Sequence, residues 1–435
     1  MYDTAFLNGK IRQNNTWISA NLYVQNGKIA LIDEWVYEAK TTIDCEGKFL
    51  LPGLIDEHVH FALDLGFIKS VDDFYHGSKA AAYGGVTTVI DFLDPVDNEK
   101  DLVKAYQKRC EEAKDSVVDY TFHATLKAPT CDLEAFVVTM KSLEIDTLKV
   151  FTTYSESGRR TSDEAIKTLL ELTTRYDFLL VVHVENDDLI RLDEGFKPSD
   201  LPLSRPAVAE TLEALKLASY VKSTGGKLLM VHLSAGSTLQ TLKDDYPGLL
   251  NTQFFIESCP QYFTFTEAIL KEPKGYLYTC APPLRSDKER ATLLSLSDDV
   301  YTIGTDHCAF MQADKQKTRL IDTPLGIGGV EQSFQIMMHH LGESAIEKMT
   351  ENPAKLNRLP GKGKLLPGYD ADVVMMEYAH GKIRKSHGKA DYTVYHNHPV
   401  DCMIHATMIR GNFVLKDGTF FGGKGRLVKG VHPDA

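Results

Sequence analysis

The chain has 435 residues, 43% hydrophobic and 25% charged, enough for one large barrel domain with a smaller companion, and this composition excludes a disordered or fibrous protein. A formal net charge of -12 argues against a nucleic-acid or anionic-membrane surface, since both favour clustered Lys and Arg, and leaves small molecules as the expected partners. Seven cysteines without CxxC pairing fit reduced thiols, and the opening MYDTAFLNGK carries no basic stretch followed by an apolar one, so a cytoplasmic protein is expected.

In chain order, residues 1–49 alternate short strands with turn signals such as NGK, at 8–10 and again at 26–28. From 50 to 308, within a barrel domain expected over 50–363, one pattern repeats: a short apolar or β-branched strand, a polar loop, then a stretch of helical periodicity. The predicted strands are LPGLIDEHVHF (51–61), TTVIDF (87–92), DYTFHAT (119–125), TLKVFTTY (147–154), LLVVHVEN (179–186), KLLMVHLS (227–234), TQFFIESCP (252–260) and YTIGTDHC (301–308). Helical stretches such as DDFYHGSKAAAYGG and SRPAVAETLEALKLASYVKSTGG separate them and end at glycine, a common helix stop. Eight strands alternating with helices predict an α/β chain folded as a (β/α)8 barrel. Residues 364–435 return to strands and turns, with RGN and KDG, so the two flanks are expected to form one small β-sandwich, with a tail, split by the barrel.

Active sites of such barrels gather at the C-terminal ends of the strands. Strand one ends in His58 and His60, which at spacing two share one face of an extended chain. Strand four carries Lys149, strand five His183, strand six His232 and strand eight Asp306. Singly each has an ordinary explanation: Lys149 as a strand-end lysine reaching solvent, His183 or His232 as a hydrogen-bonded core histidine, Asp306 as a helix cap. A second HxH, His396-Asn397-His398, lies outside the barrel pattern and reads as a loop. Together, four histidines and an aspartate at equivalent strand ends have little structural reason to coincide, and imidazole with carboxylate is the ligand set of zinc or a similar divalent ion.

The blocks HVHF after PGLID, LKVF, VVHVEN, MVHLSAGST and GTDHCAF, supported by ESCPQYFTFT, APPLR, GGVE and LLPGYDADVVM, resemble the amidohydrolase superfamily, and within it the cyclic amidases, over nearly the whole chain. The resemblance implies two divalent metal ions per chain, zinc first among them. His58, His60 and Asp306 would hold one ion and His183 and His232 the other. Lys149, carbamylated by carbon dioxide, would bridge both. A hydroxide between the ions would be the nucleophile, Asp306 the general base and then acid, and Tyr154 the donor to the developing oxyanion. Tyr154 lies five residues past Lys149, so its strand parity is opposite and it belongs in the loop beyond the strand. A rim or core tyrosine is the alternative.

Resemblance also implies the substrate class, a small neutral cyclic ureide such as a dihydropyrimidine or a 5-substituted hydantoin. Dihydroorotases carry an arginine soon after the HxH, and here the continuation is FALDLGF. Cys280, Ala281 and Leu325 fall at the positions that would meet the ring. Ala281 replaces a usual serine before PPLR and Leu325 falls where PNG is usual, while TCAPPLR is also similar to allantoinase. Allantoinase, then dihydroorotase, are therefore the alternatives. A non-catalytic dihydropyrimidinase-like scaffold is disfavoured because all six ligand positions are filled, and a deaminase or phosphotriesterase is disfavoured by Lys149 with APPLR and GGVE. The family resemblance implies a homotetramer or homodimer.

Overall fold

The computed structural model describes residues 1–430; the end of the expected C-terminal tail, 431–435, lies outside the described residues. Eight parallel strands form one sheet in strictly sequential order. They are strand one (Leu54–Val59), two (Val86–Phe92), three (Asp119–Thr125), four (Thr147–Phe151), five (Leu179–His183), six (Leu228–Met230), seven (Phe254–Ser258) and eight (Thr302–Ile303). Sequential parallel order requires a crossover after every strand, and helices such as Phe74–Tyr83 and Ala207–Thr224 supply it. A parallel bridge between Val59 and His307 brings the last strand back to the first. The result is the barrel of the sequence reading.

Strand parity decides what faces inward. Leu148, Val150, Leu180 and Val182 join the large cluster shared with the helices. Leu179 and Val181 instead pack with Leu229, Val231 and Phe255 in a separate cluster. Lys149 is level with Val181 in the ladder, and His183 is two residues further along the same strand, so both carry this second face toward the C-terminal mouth.

The flanks form one nine-stranded mixed sheet, built from strands between Tyr2 and Pro52 and between Val373 and Phe420. It curls on itself: Phe6 and Phe413, on strands far apart in the sheet order, bring their rings to 6.0 Å. The core so enclosed holds Phe6, Leu22, Leu50, Val373, Met375 and Met408. The predicted first barrel strand, 51–61, is two strands. Phe49–Pro52 pairs with Tyr2–Gln13 and Val373–Lys382 in the terminal sheet, and the barrel strand begins at Leu54. Gly53 makes the passage possible, because a Cβ there would collide with the Thr87 side chain and with Asp372.

Barrel and terminal sheet are joined by a buried charge cluster. The Lys362 ammonium lies 2.6 Å from both Asp119, on strand three, and Asp372, and 3.0 Å from Asp370. Arg410 and Arg426 pair with the same carboxylates. The three aspartates could by their spacing hold a metal ion, but the lysine already neutralises them. Lys362→Met should therefore lower unfolding free energy in urea by about 3 kcal/mol or more, because it leaves buried carboxylates short of a cation. A loss under about 1 kcal/mol, the range of an exposed ion pair, would contradict this reading.

Candidate metal centre and active site

His58 is the next-to-last residue of strand one and His60 lies just beyond it; His183 closes strand five; His232 and Asp306 lie two and three residues past strands six and eight. All meet at one mouth. The Nε2 atoms of His58 and His60 lie 3.2 and 3.0 Å from the same Asp306 Oδ1, and these three side chains offer ligand atoms within 4.8 Å of one another. The His58 ring is 5.5 Å from that of His232, which is 4.4 Å from His183, which is 4.9 Å from Tyr154. Lys149 Nζ lies 5.4 Å from the Phe92 ring, itself stacked on His60 at 4.7 Å. The six expected ligands and Tyr154 thus form one contiguous group.

Three of these residues have left-handed backbone: Tyr154 at φ 71°, His232 at φ 44° and Asp306 at φ 51°. Such conformations are uncommon outside glycine and persist where the surroundings over-determine them. For Asp306 the determinant is Asp56. Its carboxylate accepts from the Thr305 N–H at 3.1 Å, the Thr305 hydroxyl at 2.6 Å and the His58 N–H at 3.2 Å, pinning strand eight to strand one. The turn at His232 and at Asp306 also explains why strands six and eight are shorter than predicted.

Behind the ligands stand carboxylates. His58 Nδ1–H donates to Glu257, on strand seven, at 2.9 and 3.1 Å from its two oxygens, which turns Nε2 toward Asp306. Glu257 also accepts the His232 N–H at 3.0 Å. His183 Nε2–H donates to Glu185 at 2.7 Å, leaving Nδ1 free. Arg205 pairs with Glu185 and lies 4.7 Å from the Tyr154 ring, so one guanidinium packs the tyrosine and balances the carboxylate. Glu185, Arg205 and Glu257 were not singled out in the sequence. Glu185 had a signal, spacing two from His183; Glu257 had another, a charge inside the apolar run FFIES.

Electrostatics separates the ligands. Burial pushes the Lys149 ammonium down to about 8, with Glu257 and Asp306 opposing, and it has no hydrogen bond or ion pair among the described residues. Burial holds His183 down to about 4 and His232 well below its usual value, so both imidazoles are neutral bases at pH 7. Burial would lower His58 too, but Glu257 and Asp306 outweigh it and raise it to about 10: this is a field that attracts a cation. Burial would raise Asp306, and the adjoining His58 and His60 instead hold it well below the carboxylate range. Burial pushes the Tyr154 phenol up to about 12. His123, in strand three, has both ring nitrogens engaged, by Thr147 and the Glu57 carbonyl, and is no ligand.

Do these residues fit a metal centre? His232 Nδ1 is buried with no hydrogen-bond partner, Lys149 is buried without a counter-charge, and the donors around Asp306 converge. Neutral imidazoles backed by carboxylates are the usual setting of metal-ligating histidines. The fit is good. Of the expected ring contacts, Cys280 is buried, and Ala281 and Leu325 are half-buried on adjoining loops, joined where Gly326 N–H donates to the Thr279 carbonyl at 3.0 Å.

A barrel whose mouth gathers histidines, an aspartate and a buried lysine defines a metal-dependent hydrolase. A model of the amidohydrolase family matches residues 49–414. D-phenylhydantoinase of Escherichia coli O81 (strain ED1a) is 30% identical over 416 residues, covering 89% of each chain. Among solved structures, a D-hydantoinase superposes with TM-score 0.91 at 26% identity over 99% of both chains. The dihydropyrimidinase from Brevibacillus agri NCHU1002 gives 0.92 at 25% identity over 100% of both. The chain belongs to the amidohydrolase family.

Glu257→Gln keeps the shape but removes the charge that orients His58. It should weaken divalent-ion retention by about 10- to 100-fold, measured by titration against a competing chelator. Wild-type retention would show that Glu257 does not support the centre.

Proposed function

We propose that the protein is a cyclic amidase that opens a dihydropyrimidine or a 5-substituted hydantoin to the N-carbamoyl amino acid. The observation that carries this is the convergence of His58, His60, Lys149, His183, His232 and Asp306 at one barrel mouth. Relatives named D-phenylhydantoinase and dihydropyrimidinase support the choice of ring.

His58, His60 and Asp306 would hold one divalent ion and His183 and His232 a second, with a carbamate on Lys149 as a further ligand. Zinc suits this nitrogen and oxygen donor set. When bound, the ions supply Lewis-acid polarisation of the carbonyl and acidify water for attack. Lys149 supports the carbamate because its amine is buried with no acidic partner, and only the anionic form would match two cations.

Asp306 takes the proton of the attacking water as the C–O bond forms. It returns that proton to the ring nitrogen as the C–N bond breaks, so none is lost to bulk. Tyr154 keeps its proton, since burial raises it to about 12, and donates to the carbonyl oxygen as negative charge develops there. Arg205 and the His183 ring pack against the Tyr154 ring, at 4.7 and 4.9 Å. Arg205 is committed to Glu185, so it is not free for a substrate carboxylate, in keeping with a neutral ring. The working assembly is a homotetramer or homodimer in the cytoplasm, supported by the family resemblance. No helix among the described residues is long and apolar enough to cross a membrane.

The test is kcat/KM for hydantoin, a 5-aryl hydantoin, dihydrouracil, allantoin and dihydroorotate on metal-loaded enzyme. A hydantoin or dihydrouracil should lead, and dihydroorotate should trail by about 10²- to 10³-fold because the arginine that follows the HxH in dihydroorotases is missing from FALDLGF here. Dihydroorotate as the best substrate would refute the neutral-ring reading; allantoin as the best would make the protein an allantoinase.

Tyr154→Phe should lower kcat by about 10²- to 10³-fold with metal content unchanged. Near wild-type turnover would return Tyr154 to a packing role.

A further inference from the structure

Nine residues beyond Asp306 stands a second buried lysine with no part in the chemistry above. Lys315 closes the short helix Gln312–Lys315 and is wholly buried. It forms no ion pair among the described residues. Its Nζ donates to the Thr279 carbonyl at 2.8 Å and to the Gly326 carbonyl at 2.5 Å. Those two acceptors are the peptide groups beside the expected ring contacts: Cys280 follows Thr279, and Leu325 precedes Gly326.

Burial pushes the Lys315 ammonium down to about 7, with the thiols of Cys280 and Cys308 opposing. Both carbonyls accept from Nζ, so the side chain is held by hydrogen bonds without a counter-ion. The third side of the arrangement is equally tight. A Cβ at Gly326 would meet the Cys308 carbonyl at 2.5 Å, and Cys308 N–H donates to the Ile327 carbonyl at 3.0 Å. The Leu325 loop is therefore pressed against the chain that carries Asp306, and Lys315 ties the Cys280 loop to it.

We propose that Lys315 is a positioning residue that sets the separation of the two backbone walls of the substrate pocket, Cys280–Ala281 and Leu325, and so governs ring binding and the choice between five- and six-membered rings. This rests on the cyclic-ureide reading. The walls meet the ring in ground state and transition state alike, so loosening them removes uniform binding and leaves the chemical step in place.

The experiment compares wild type, Lys315→Met and Lys315→Gln, with KM and kcat for hydantoin and dihydrouracil, and metal content by elemental analysis. Lys315→Met removes both donors; the neutral Gln amide keeps two on a shorter stem. KM in Lys315→Met should rise about tenfold or more, unequally for the two rings, with kcat within about threefold and metal content unchanged, and Lys315→Gln should fall between it and wild type. KM within about twofold of wild type, or equal loss of kcat and metal without a change in KM, would overturn the proposal. If Lys315→Met does not fold, Lys315→Gln decides it by the same split. A wild-type enzyme that opens no cyclic ureide would refute the functional reading instead, before any variant is compared.

Discussion

A lysine amine sits in the barrel wall at 2% exposure, among imidazoles that it helps to keep neutral, with no carboxylate to pair with. An uncompensated ammonium there is costly, and a bare neutral amine would waste the position. Under the proposed function, conversion to an anion beside two cations would remove the conflict. The surrounding design follows: neutral His183 and His232 on one side, His58, His60 and Asp306 on the other, and no acid close enough to form a salt bridge with Lys149 itself.

Precision then comes from residues that never face the mouth. Glu257 orients His58 and holds the His232 backbone, so one carboxylate serves both halves of the site. Glu185 orients His183 and is balanced by Arg205, which also packs Tyr154. Asp56 fixes the turn that presents Asp306. Three left-handed non-glycine residues cost stability, and hydrogen bonds and packing on every side hold them in place. Lys362 does the corresponding work at the seam between barrel and terminal sheet, and Lys315 at the pocket walls.

How much of this was legible follows from which forces are local. Strand spacing and helix stops mark the barrel because periodicity and glycine are local signals, and HVH and TDH stand out because charge and imidazole are rare in apolar strands. Strand ends at His232 and Asp306 were read too long, since a left-handed turn at a non-glycine residue is imposed by partners distant in the chain, such as Asp56. The first strand ran on through Leu51 because Phe49–Pro52 is apolar enough for either sheet; only its pairing with Val373–Lys382 decides. Arg205 looks ordinary until its partner, 20 residues away, is in place, and the charge of Glu257 inside FFIES has no evident use until His58, 199 residues away, packs beside it.

The central claim is that Lys149 completes the centre as an anion, and ¹³C NMR tests it most directly. Metal-loaded protein prepared in ¹³C-bicarbonate should show one protein-bound carbamate carbon that is absent from Lys149→Ala prepared in the same way. A wild-type sample holding two ions per chain with no such resonance would show that the buried lysine is accommodated by other means, and would contradict the account.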